Sequence, residues 1–227
     1  MVFLGILCSV ASGLGIIYIG RRLRPREFAF AAYQWRYQGL SLAAGLLAWV
    51  VTGLTGTWVS FVGDFAAPVA NLEWLGVSKA DTWQSFGATI GVIMASGTLL
   101  VVWLQSGRGS GIHVGHLLSA LPLVLLFSAA NALTEELIFR AALVQSMQSS
   151  VAPWGIALAS ALWFGGLHYF GNPGKIPGVL MAGFMAWLLT FSVVQTQGLF
   201  WAWFIHFVQD VVILAILFAG EKAREQK

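Results

Sequence analysis

The chain has 227 residues, 58% of them hydrophobic and only 9% charged, with a formal net charge of +3 and a mean hydropathy of +0.80. Soluble domains carry about 25% charged residues, so a water-soluble enzyme and a nucleic-acid-binding module are excluded, and an all-α, polytopic transmembrane helix bundle is expected. A single cysteine, Cys8, excludes an intrachain disulfide and reads as a small apolar filler.

The first uncharged run, residues 2–20, has about the 20 residues needed to cross a bilayer. A secretory signal would place positive charge before it, whereas the arginines follow, so it is read as a retained span. Leu7 stands where a lipoprotein cleavage site would need a small residue before Cys8. Arg21, Arg22, Arg24, Arg26 and Arg36 against Glu27 place the next loop inside and against anionic lipid. Further runs cover residues 38–63 and 85–104, and between them Asp64, Glu73 and Asp81 face only Lys79, which reads as external. Trp74 and Trp83 in that loop suit the headgroup level. Gly91, Gly97 and Ala95 are expected to allow close helix contact.

After Pro122 an apolar stretch reaches Leu133, is interrupted by Glu135 and Glu136, and resumes through Met147 as one long helix or two short ones. Spans then run from Pro153 to Tyr169, Ile176 to Val194 and Leu199 to Gly220. Seven spans are expected, N-terminus outside and C-terminus cytoplasmic, because Arg108, Lys175, Lys222, Arg224 and Lys227 then fall inside; an eighth would need a reversal near Glu135. The division is membrane helices in 1–116, a motif-bearing core in 117–220 and a tail in 221–227.

Three motifs place ionisable groups in these greasy segments, where each costs several kcal/mol and is therefore a candidate for function. In TEELIFRAAL, residues 134–143, Glu136 and Arg140 are one helical turn apart and can pair, while Glu135 is turned by about 100° and is free to act as a general base and then acid. A charge cluster at a helix end is the structural alternative. In WFGGLHYFGN, residues 163–172, Phe164 can pack over His168, and Gly165 and Gly166 permit another helix to approach; alone, this His reads as structural. In FIHFVQDVV, residues 204–212, His206 and Asp210 share a face and can bind metal, orient an imidazole or meet an oxyanion, or join helices by a hydrogen bond. His113 and His116 have no evident partner.

In this order EExxxR, FxxxH and HxxxD resemble the signature motifs of the CPBP family, the intramembrane proteases related to the CAAX prenyl endopeptidase, also called Abi. The resemblance covers about residues 117–215. It implies an intramembrane endopeptidase in which Glu135 and His168 activate water, Glu136 and Arg140 support them, and His206 with Asp210 meets the tetrahedral oxyanion. Asp210 departs from the usual Asn, and an ionised Asp cannot donate to an oxyanion. The family has been described both as metalloproteases and as glutamate peptidases. Glu135, His168, His206 and Asp210 are acceptable zinc ligands, but no HExxH pair is present and metal-free catalysis is preferred.

A membrane peptide or protein and the lipid bilayer are the expected partners, with no nucleic acid. A prokaryotic plasma membrane is the expected location, which favours a bacteriocin, a signalling peptide or a C-terminal membrane anchor over a prenylated protein. The competing class is a non-enzymatic membrane protein, such as a proton-coupled transporter or an immunity or scaffold protein. One geometric problem stands: His206 lies about 10–15 Å from the external end of its span and His168 near the internal end of its own, so they meet only if spans tilt, shift or break. The Gly165–Gly178 stretch, rich in glycine and proline, is where a break is expected.

Overall fold

The computed structural model describes residues 2–23, 30–78, 80–106, 114–170 and 174–225. Among them the helices are α1 (Val2–Leu23), α2 (Phe30–Thr55), α3 (Trp83–Ser106), α4 (Val114–Glu136), α5 (Ala142–Met147), α6 (Pro153–Leu167), α7 (Lys175–Thr196) and α8 (Phe200–Glu225). A π-helical turn, Leu137–Ala141, joins α4 to α5 without a reversal, so the segment holding both glutamates is one long element and adds no eighth span. Short 3-10 turns cover Glu73–Leu75 and His168–Phe170.

Local chemistry sets the ends. Pro153 opens α6, where its missing N–H costs nothing and its fixed φ suits a helix start. Gln197 closes α7 in the left-handed region, φ 54°, and Gly198 follows. The expected second span is displaced: α2 begins at Phe30 and stops at Thr55, so residues 56–63 are not helical. A Cβ on Gly56 would run into the Gln145 carbonyl, and this close approach lets the Thr57 N–H bond Gln145 O at 3.1 Å. Beyond it, Ser60 N–H bonds Gln197 O and Asp64 N–H bonds Thr196 O. Lack of charge made this stretch look like a span, whereas its backbone groups are satisfied by a neighbouring turn.

These bonds gather the α2–α3 connection, the α5–α6 turn and the α7–α8 turn at one end, the alternation that seven antiparallel passes require. Four helices are long and apolar enough to cross a membrane, Ala32–Thr55, Trp83–Val101, Leu117–Met147 and Lys175–Thr196, while Gly5–Gly20 and Phe200–Ile216 are shorter apolar helices. α6 has 15 residues, about 22 Å, and stops short of a ~30 Å hydrocarbon layer. Of the charges used to orient the loops, Arg24, Arg26, Glu27, Lys79, Arg108 and Lys227 lie outside the described residues, as does His113.

The core centres on the π turn, whose five residues are all buried. Leu137, Ile138, Phe139 and Ala141 pack with Ile16 of α1, Ala48 of α2, Phe164 of α6, Leu189 of α7 and Ile205 of α8 in one apolar cluster. Two expectations change. Trp74 is exposed, but Trp83 is fully buried, and its Nε1 donates to Gln195 Oε1 at 2.9 Å, so it ties α3 to α7 instead of sitting among headgroups. Close helix contact comes from Gly87, where a Cβ would strike the Trp201 ring, and not from Gly97, which has open space, or Gly91, which is at ordinary distance.

Candidate active site

α4 ends in two acids, and its neighbours receive both. Glu136 Oε2 lies 3.2 Å from Arg140 Nε, with both side chains completely buried. The guanidinium also lies over the Phe164 ring, 4.1 Å from its centroid, a cation–π contact that offsets part of the burial. Glu136 Oε1 accepts from His206 Nδ1 at 2.7 Å, so one carboxylate joins the first motif to the third.

Glu135 is turned as expected, yet not free of the third motif. Its Oε2 stands 3.5 Å from His206 Nε2. Asp210 Oδ1 is 3.7 Å from the same nitrogen. His206 is therefore held at Nδ1 by Glu136 and flanked at Nε2 by two further carboxyl groups. Glu135 and Asp210 are linked by Asn131, whose Nδ2 donates to Glu135 Oε1 at 3.3 Å and Asp210 Oδ2 at 3.0 Å. Asn131 Oδ1 in turn accepts from Gln38 Nε2 of α2. Asn131 and Gln38 were not expected from the motifs. The signal was there: Asn131 is one turn before Glu135 in an apolar helix, and Gln38 is a buried amide in another.

His168 begins the 3-10 turn where α6 ends, within the expected Gly165–Gly178 break. Its Nδ1 is 2.9 Å from Phe164 O. A carbonyl only accepts, so Nδ1 carries the proton and Nε2 keeps the free lone pair in the neutral ring. Phe164 packs on His168 at 4.4 Å between centroids and meets the His206 ring edge-on at 5.9 Å. Gly165 does permit close approach: a Cβ there would lie 2.7 Å from Val179 O of α7. Gly166 faces open space.

Both imidazoles and Asp210 line one cavity of about 330 Å³. Its other walls are mostly apolar, among them Ile93 and Met94 of α3, Met181 and Met185 of α7 and Ile213 of α8. The short α6 brings His168 to this depth, and Phe164 spans the remaining offset between the rings, which answers the geometric problem. No direct contact joins Glu135 to His168 among the described residues. Nor is any group of three or more His, Cys, Asp or Glu among them disposed to hold a metal ion.

Residues 117–212 match the family model of type II CAAX prenyl endopeptidase Rce1-like proteins. No curated protein and no solved structure matches the chain. The matched stretch runs from the first turn of α4 into α8 and contains all six motif side chains. This match, with the apolar helices that surround it, relates this integral membrane protein to the CAAX proteases.

Proposed function

We propose that the chain is an intramembrane endopeptidase that hydrolyses a peptide bond in a membrane-associated peptide. The observation that supports this most is that Glu135 and Glu136 of α4 both meet His206 of α8, which lines one cavity together with Asp210 and with His168 at the end of α6. Glu135, at His206 on the edge of the cavity, takes a proton from water, with His168 Nε2 as a second acceptor inside it. The resulting hydroxide attacks the scissile carbonyl carbon. Doubly protonated His206 keeps one N–H on Glu136 and offers Nε2–H to the oxyanion. When the C–N bond breaks, Glu135 returns the proton to the leaving amine. Glu136, Arg140 and Asp210 act through His206 and Glu135 as positioning residues.

Apolar walls suit a substrate segment arriving from lipid. We assign the protein to a prokaryotic plasma membrane with its C-terminus in the cytoplasm, and its substrate to a bacteriocin, a signalling peptide or a membrane-anchored C-terminus. No step runs through a metal ion. Dialysis against a strong zinc chelator is expected to leave the rate within about twofold; loss of activity that zinc restores would overturn the metal-free scheme.

The test is incubation of protein in liposomes with a prenylated C-terminal peptide and with a membrane-peptide library, read by mass spectrometry. New peptide termini are expected. A pH-driven flux that vanishes in Glu135→Gln, with no peptide product, would instead establish a transporter.

A further inference from the structure

We propose that Ser9 of α1, far outside the matched stretch, is a positioning residue for the reaction proposed above, acting by holding the π turn that follows the paired acids. In an unbroken α-helix the Ala142 N–H would bond the carbonyl four residues back, that of Ile138. It bonds Leu137 O instead, five residues back. Where the wide turn gives way to regular pitch, Ile138 O is thus left without its helical donor. Ser9 Oγ supplies one: it is fully buried and donates to Ile138 O at 2.9 Å. A second hydroxyl braces the next carbonyl, Ser160 Oγ of α6 on Phe139 O at 3.1 Å.

The packing of α1 explains how Ser9 reaches so far in. Gly5 and Gly13 lie one turn to either side of it. A Cβ at Gly5 would collide with Ser146 Oγ of α5, and one at Gly13 would come within 3.1 Å of the Phe139 ring. This small-residue face lets α1 lie directly on the π turn. An orphaned carbonyl in an apolar core is unfavourable, so without the hydroxyl the wide turn competes less well with a regular helix.

What depends on the turn is Phe164. Phe139 packs against its ring at 5.1 Å, and Arg140 lies over its face at 4.1 Å. The same ring contacts His168 and His206. Ser9 therefore acts on the imidazoles through the π turn and Phe164, without touching either.

The test compares Ser9→Val with Ser9→Thr, which share shape and differ in the hydroxyl. Thr190→Val serves as the control, because the Thr190 hydroxyl is equally buried but bonds Ala186 O within α7. With a cleaved peptide as substrate, Ser9→Val is expected to lower kcat on the order of 10- to 100-fold while KM stays within about twofold. Ser9→Thr recovers most of the rate, and Thr190→Val leaves it near wild type. Equal turnover by the two Ser9 variants, or an equal loss in Thr190→Val, would overturn the assignment.

Because this inference rests on the proposed activity, hydrogen exchange over residues 137–147 is measured alongside. Faster exchange in Ser9→Val but not Ser9→Thr is expected even if no peptide is cleaved, and identical exchange in both refutes the role.

Discussion

Arg140 pairs with the Glu136 carboxylate and stacks on the Phe164 face, and among the described residues neither of its Nη atoms has a hydrogen-bond partner. Arg140→Leu would leave buried Glu136 with His206 as its remaining partner, so unfolding in detergent should show a loss of up to about 3–5 kcal/mol. Arg140→Lys keeps the charge but not the plane that stacks on Phe164, and an intermediate loss is expected. An unchanged unfolding midpoint in both variants would contradict this pairing. Asp210 gives a second prediction. An Asn there still accepts from Asn131, so Asp210→Asn should keep cleavage within about threefold, whereas Asp210→Leu strands one Asn131 contact at a cost of about 1–3 kcal/mol. Cleavage rates of the two variants check this, and equal rates would refute it. Glu135, Glu136, Arg140, His206 and Asp210 were identifiable because ionisable groups at helical spacing stand out in apolar sequence. Asn131 and Gln38 carry no charge and so escaped that filter, although they connect the carboxyl groups.

The α6–α7 crossing depends on a glycine whose absent side chain makes room for the next backbone. Gly165→Ala puts a methyl 2.7 Å from Val179 O and 3.0 Å from Gly183 Cα. Backbone cannot swing aside, so a loss of about 1–3 kcal/mol is expected. The neighbouring Gly166→Ala meets open space and should be neutral or gain up to about 1 kcal/mol of helix propensity. Thermal unfolding of the two variants separates them; equal destabilisation would mean that α6 and α7 do not meet at Gly165. The spans of α7 and α8 were readable to within a few residues at their N-terminal ends, because hydropathy changes sharply there. The end of α2 was not, since an uncharged loop bonded to another turn looks the same as a span. The π turn left no trace at all: LIFRA is ordinary helix-forming sequence, and its geometry comes from Ser9, Ser160 and Phe164, which are distant in sequence.

At the scale of the whole molecule, the α2–α3, α5–α6 and α7–α8 connections meet at one end. In a Cys8→Ser background, Ala70→Cys and Ser149→Cys should react with an impermeant thiol reagent from the same side of the membrane, and Lys227→Cys from the other. Labelling of Ala70→Cys and Ser149→Cys from opposite sides would break the arrangement. Hydropathy anticipated the all-helical, membrane-spanning character, and motif order anticipated the family relation. His168 and His206 reach one cavity only in the folded chain, because that depends on how far a short α6 reaches into the bundle. The most direct measurement of the central claim is the single-turnover rate of peptide cleavage in liposomes for the wild type, Glu135→Gln and His168→Ala. Each substitution is expected to slow cleavage on the order of 100-fold or more while the peptide still binds; cleavage at the wild-type rate by both variants would overturn the roles given to Glu135 and His168.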